Sequence, residues 1–195
     1  MNDFIQQFIT GNYSFLLTVE TPRYVLATLT AILILSLVGI FYFIKEKSER
    51  VRWISLSVFC AYLAFLICNT IIFRIPKPEP EYKLIPFWSY IEIIKNDQMV
   101  YLYENIFNIV LFIPLGIFYR MFAGRGRIVI VLLMGLIVSS LIEILQLLLH
   151  KGLCEFDDVF HNTLGCLLGY YLYSVMLIAY NFIHHENSST FNRSW

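Results

Sequence analysis

The chain has 195 residues, 58% of them hydrophobic, 17% aromatic and only 14% charged, which departs from soluble composition toward an integral membrane protein. Fourteen Lys and Arg balance fourteen Asp and Glu, so the net basic charge that favours a nucleic-acid partner is missing and no such partner is expected. The four cysteines form no CxxC pair, and a secreted disulfide framework is excluded with it.

Before Arg23 the chain carries Asp3 and no Lys or Arg, so it lacks the basic lead of a cleavable signal peptide and the first span is expected to be retained. Phe4, Ile5, Phe8 and Ile9 have the spacing of a short interfacial helix, and residues 1–23 are expected outside the cytoplasm. Thr21 and Pro22 make an N-cap and first-turn pair for a first span, Tyr24 to Ile44, which no charge interrupts. The charged hairpin KEKSERVR (45–52) leads into a second span, Trp53 to Phe73, with Asn69 and Thr70 near its far end. In residues 74–100 the alternation of proline and charge in RIPKPEPE favours an extended segment, and LIPFWSYIEII adds an amphipathic aromatic patch suited to the membrane surface. A third span runs from Glu104 to Phe122 with Asn105 and Asn108 in its opening turns and Pro114 as an expected kink. After the basic loop RMFAGRGR come a fourth span, Ile128 to Leu149, and a fifth, Asp158 to Tyr180, with no internal repeat. The reading is an all-α polytopic membrane protein: a five-helix domain over 24–180 followed by a cytoplasmic polar tail over 181–195.

Orientation follows the short basic loops. Lys45, Lys47, Arg50 and Arg52 lie on one side with Arg120, Arg125 and Arg127, which is therefore expected to be cytoplasmic. The opposite side carries Glu79, Glu81, Glu92, Asp97, Glu104, Glu155, Asp157 and Asp158.

At about 100° per residue, Ser139, Glu143, Gln146 and His150 share one helical stripe, as do Asp158, Asn162, Gly165 and Gly169 on the next helix. The topology puts Asn69, Asn108, Glu143 and Asn162 at similar depth in the outer half of the bilayer, beneath the acidic loop GLCEFDD. Asn69, Asn105 and Gln146 suit interhelical hydrogen bonding as well as a binding site. Glu143 is harder to read as scaffold, because a carboxylate at that depth costs several kcal/mol unless protonated, paired or hydrated. Its candidate partners are Gln146, Asn108, His150 and His161. Asp157 and Asp158 also suit the first turn of the fifth helix, where negative charge is favourable, and Gly165 and Gly169 suit close helix packing. Cys154 has no neighbour in sequence that would activate it. GxSxG, HExxH and phosphate-loop motifs are missing, and Glu143, Asp157 and Asp158 have no diagnostic metal spacing, so no cofactor or metal is expected.

ENIFNIVLFIPLG at 104–116, the SxxxExxQ of Ser139, Glu143 and Gln146, and GLCEFDDVFHNTLGCLLGY at 152–170 occur in the order and separation of the VanZ-like membrane protein family, which the chain resembles over about residues 84–170. Where that family often has Arg before the glycine of the acidic loop, this chain has Lys151. The resemblance implies a bacterial cell-membrane protein, typically Gram-positive, of a family associated with teicoplanin resistance. It maps recurring positions onto Asn105, Asn108, Pro114, Gly116, Glu143, Gln146, Asp158, Asn162 and Gly165. Two functions stand open. One is a binding protein that engages membrane lipids, an envelope lipid precursor or a lipoglycopeptide through Asn105, Asn108, Glu143, Gln146, Asp158 and Asn162. The other is an intramembrane enzyme with Glu143 as general acid or base, assisted by Asp158 and His161.

Overall fold

The computed structural model describes residues 49–72, 74, 76–123 and 127–191, with the backbone alone for 50–52 and 184–191. The first expected span and the segment before it lie outside the described residues. The four spans expected beyond them fall on helices long and apolar enough to cross a bilayer: Trp53–Ile72, Val100–Ala123, Ile128–Leu148 and Phe156–Ile183.

Helix α1, Glu49–Ile67, passes directly into a π-helical turn, Cys68–Ile72. A π turn shifts the backbone pairing and leaves carbonyls for other donors. Here the Asn69 amide donates to the carbonyl of Phe65 at 2.9 Å and the Thr70 hydroxyl to that of Leu66 at 2.7 Å. Asn69 is thereby absorbed by its own helix.

The proline-rich stretch leads into strand β1, Glu81–Lys83, and then into helix α2, Trp88–Asn96. Helix α3, Val100–Ala123, begins four residues before its expected start and carries Pro114 inside. A proline takes one donor out of the helical ladder and loosens the turn before it, and side chains of neighbouring helices take up the freed groups. In that turn the Tyr62 hydroxyl of α1 donates to the carbonyl of Leu111 at 3.0 Å. Helix α4 is Ile128–Leu148, and helix α5, Phe156–Phe191, continues well into the stretch expected as a tail.

Between α4 and α5 the acidic loop forms a strand, β2, Leu153–Glu155, which pairs in parallel with β1 in the register Glu81 with Leu153, Tyr82 with Cys154 and Lys83 with Glu155. This two-stranded clip is the one departure from the all-helical reading among the described residues. The backbone N–H of Lys77 adds a 2.7 Å bond to the carbonyl of His150.

Helices α3 and α5 form the central pair, with α4 packed on α5. Their closeness has a cause in sequence: a Cβ added at Gly165 would collide with the carbonyl of Ile109, one at Gly169 with that of Ile113, and one at Gly116 with that of Cys166. Around this seam lie Phe112, Ile117, Phe118, Cys166 and Tyr173, with Tyr62 and Leu66 from α1. The outer faces expose Leu133, Ile137, Leu141, Ile144, Val175 and Ile178, as lipid-facing helices do.

Candidate functional site

The polar residues gather at the end of the bundle that holds the π turn, the β clip, helix α2, the start of α3 and α5, and the last turns of α4. The expected stripe on α4 is buried along Ser139, Glu143 and Gln146. His150 leaves it, because the helix stops at Leu148 and His150 adopts φ 56° beyond its end. Each of the three buried residues meets a different element. Ser139 Oγ accepts from the Asn162 amide of α5 at 2.8 Å, Glu143 Oε2 accepts from the backbone N–H of Glu155 at 2.8 Å, and the Gln146 amide donates to the Thr70 carbonyl at 2.9 Å. The partner of Glu143 is thus the β clip rather than Gln146, Asn108, His150 or His161.

On α3 the two asparagines also diverge. Asn108 donates to Asp158 Oδ1 at 2.7 Å, joining α3 to the first turn of α5, whereas buried Asn105 donates to Ser89 Oγ at 3.1 Å and so holds α2. Asp157 and Asp158 both sit in the first turn of α5, as expected. The Asp157 side chain, however, serves another helix. Fully buried, it accepts from the backbone N–H of Phe87, and from the backbone N–H at 3.0 Å and hydroxyl of Ser89. It caps α2 from outside, at a point where Phe87 occupies the left-handed region (φ 59°) that an L-residue adopts only when held there. His161 is buried one turn further along α5, with Nε2 2.7 Å from the Tyr90 hydroxyl of α2, and Phe160 packs edge-on to Phe87 at 5.2 Å.

Three contributors, Glu155, Cys154 and Arg74, were not among the expected site residues. Glu155 accepts from Trp88 Nε1 at 3.1 Å; burial, followed by the negative charge of Asp158 and Glu104, pushes its carboxyl up to about 8. The Cys154 thiol is likewise pushed up, first by burial and then by Glu143, Asp158 and Glu155. Arg74 is the cation whose field reaches Glu104, Glu143 and Asp158. Its guanidinium lies against Gly152, whose φ of 118° and lack of a Cβ admit it. Lys151, the residue before that glycine, sends its ammonium elsewhere, to the Ile72 carbonyl at 3.1 Å. Arg74 stands in RIPKPEPE, where nothing in the sequence marks its contact; only the position of its guanidinium against Gly152 reveals it.

The arrangement is a hydrogen-bonded polar layer with an excess of carboxylates over one arginine. Among the described residues, two of its buried acceptors, Asn162 Oδ1 and Gln146 Oε1, have no hydrogen-bond partner. Among the described residues no three His, Cys, Asp or Glu side chains converge closely enough to hold a metal ion. The model of the VanZ/LLP1 family matches residues 30–178. No curated protein and no solved structure matches the chain.

Proposed function

The chain belongs to the VanZ/LLP1 family, and from that premise we propose that it works at the outer leaflet of a bacterial cell membrane, binding a lipid-linked envelope precursor or a lipoglycopeptide and altering antibiotic access. The supporting observation is the polar layer itself: Glu143, Asn108, Asp158 and Asn162, from three helices, are assembled with buried acceptors left over at one end of an otherwise apolar bundle. Such groups are costly in a membrane and are retained where a polar ligand meets them. Arg120 and Arg127, on either side of the loop that joins α3 to α4, lie at the opposite end, and the retention of basic loops in the cytoplasm supports an outward-facing polar layer.

The test compares cells expressing the unaltered chain with Glu143→Gln and Asn162→Ala variants at equal membrane abundance. Binding of a fluorescent lipoglycopeptide is expected to change in both. Unchanged binding in both variants rejects the reading. A membrane-impermeant maleimide should label a cysteine placed at Asn96, and not one placed at Gly124, in intact cells; the reverse pattern rejects the orientation.

Acid–base chemistry on a lipid-linked substrate is a second reading, favoured by the pair Tyr90 and His161 2.7 Å apart beside the carboxylate layer. There Glu143 is the general acid or base, with Asp158 and His161 assisting. Its readout is turnover of envelope lipids by purified protein, abolished in Glu143→Gln. Unaltered lipid profiles with and without the protein reject it.

A further inference from the structure

Beside the polar layer, the β clip, α2 and the start of α3 line an open cavity of about 510 Å³. Its wall is aromatic and acidic: Tyr82, Trp88 and Tyr101 stand with Glu81, Glu92, Lys83 and Leu153. Trp88 and Tyr101 meet edge to face with ring centres 4.8 Å apart, which fixes the indole plane. Trp88 is further held by its 3.1 Å bond to Glu155. Over that indole sits the Nζ of Lys83, 5.4 Å from the ring centre. A rigid aromatic face with carboxylates around it is the arrangement that binds organic cations.

We propose that this cavity receives an organic ammonium group, which rests on Trp88 and Tyr101 in the place that Lys83 Nζ holds in the free protein. Two observations support displacement rather than a permanent contact. Lys83 is exposed and, among the described residues, makes no ion pair there; the ion pair at this edge is between Lys77 and Glu81 at 2.6 Å. Its flexible stem can leave at small cost, since exposed contacts of this kind are weak. Second, of the two carboxylates that line the cavity, Glu81 is paired with Lys77, whereas Glu92 accepts from the Asn96 amide and has no ion pair among the described residues. An aminated lipid headgroup and a soluble ammonium compound share this chemistry. The inference is independent of the role proposed for Glu143.

The test uses the full chain in nanodiscs of phosphatidylglycerol, with Trp53→Phe and Trp195→Phe leaving Trp88 as sole tryptophan. Titration with tetramethylammonium chloride is expected to change Trp88 emission saturably, where equal sodium chloride does not. Lys83→Met should tighten and Glu92→Gln weaken this binding by roughly three- to tenfold each, the range of one cation–aromatic or exposed charge contact. Lys83→Met distinguishes a receptor from a structural contact, because a purely structural lysine gives no tighter binding when removed. If phosphatidylethanolamine in the nanodisc already produces the change and abolishes the response to tetramethylammonium, the natural ligand is a lipid headgroup. If it does not, and tetramethylammonium acts, the ligand is a soluble ammonium. No response to either, or variants that bind as the unaltered chain does, overturns the proposal.

Discussion

The backbone N–H of Glu155 points across the turn between two helices to Oε2 of Glu143, 2.8 Å away, so a buried carboxylate of α4 fixes the strand that opens α5. That strand pairs with β1 and its last residue holds Trp88 of α2. This bond therefore joins those of Asp157 and Asn105 to Ser89 in tying the membrane bundle to the surface segment that covers it.

Glu143→Gln keeps an acceptor for that N–H, while Glu143→Ala leaves a buried donor unpaired, at a cost of about 1–3 kcal/mol. Thermal melts in nanodiscs should show Glu143→Ala clearly destabilised and Glu143→Gln close to the unaltered chain. Loss of lipoglycopeptide binding in both would separate the carboxylate's charge from its structural bond. Equal melting points for Ala and Gln would show that the bond to Glu155 does not hold the clip.

Much of this was legible before folding. Span positions follow from uninterrupted apolar length, and the shared stripes of Ser139 with Glu143 and of Asp158 with Asn162 follow from helical period, so the polar faces were readable as faces. Pairings within them were not. Which acceptor Glu143 meets depends on three residues, Leu153 to Glu155, becoming a strand, and that in turn depends on β1 arriving from about 70 residues earlier. A three-residue strand has no periodicity to detect. Asp157 shows the same limit: helix-start chemistry placed it in the first turn of α5, but its hydrogen bonds go to another helix, 68 and 70 residues away in sequence.

Stability should fall as pH rises across the titration range of Glu155. Its carboxyl is pushed from the ordinary 4.5 to about 8, so the folded protein holds the proton more tightly than the unfolded chain does. The stabilising contribution is complete below about 4.5 and is lost as pH passes through about 8. Melting temperature should decline over that window, and Glu155→Gln should flatten the decline. An identical pH profile in Glu155→Gln would assign the dependence to other groups.

Packing between α3 and α5 gives a ranked prediction. At Gly165 and Gly169 an added Cβ meets carbonyl groups of α3, backbone that cannot move aside. At Gly135 it meets the Thr163 Cα at 3.1 Å and the Cys166 Cβ at 3.3 Å, contacts that a few tenths of an ångström relieve. Gly165→Ala and Gly169→Ala should each cost about 1–3 kcal/mol or more, as overpacked interiors do. Gly135→Ala should cost visibly less. Melts of the three variants in one nanodisc preparation check the order, and a most damaging Gly135→Ala would contradict the close α3–α5 seam.

Capping of α2 by Asp157 makes the covering segment separable from the bundle. Asp157→Ala removes the acceptor for Phe87 and Ser89 and leaves those donors unpaired, so α2 should lift while the four spans stay assembled. Cys154 reports this. It is buried in β2, and burial with the charges of Glu143, Asp158 and Glu155 pushes its thiol up, so maleimide labelling at neutral pH should be slow. Opening the segment exposes the thiol to water and removes the larger cause of that shift. In a background where Cys60, Cys68 and Cys166 are replaced by serine or alanine, labelling of Cys154 in Asp157→Ala should accelerate roughly tenfold or more, the change expected when a docked element opens freely. Helical content by circular dichroism should change little, because α2 contributes only nine residues. Labelling as slow as in the parent would show that Asn105 and the β clip hold α2 without the cap.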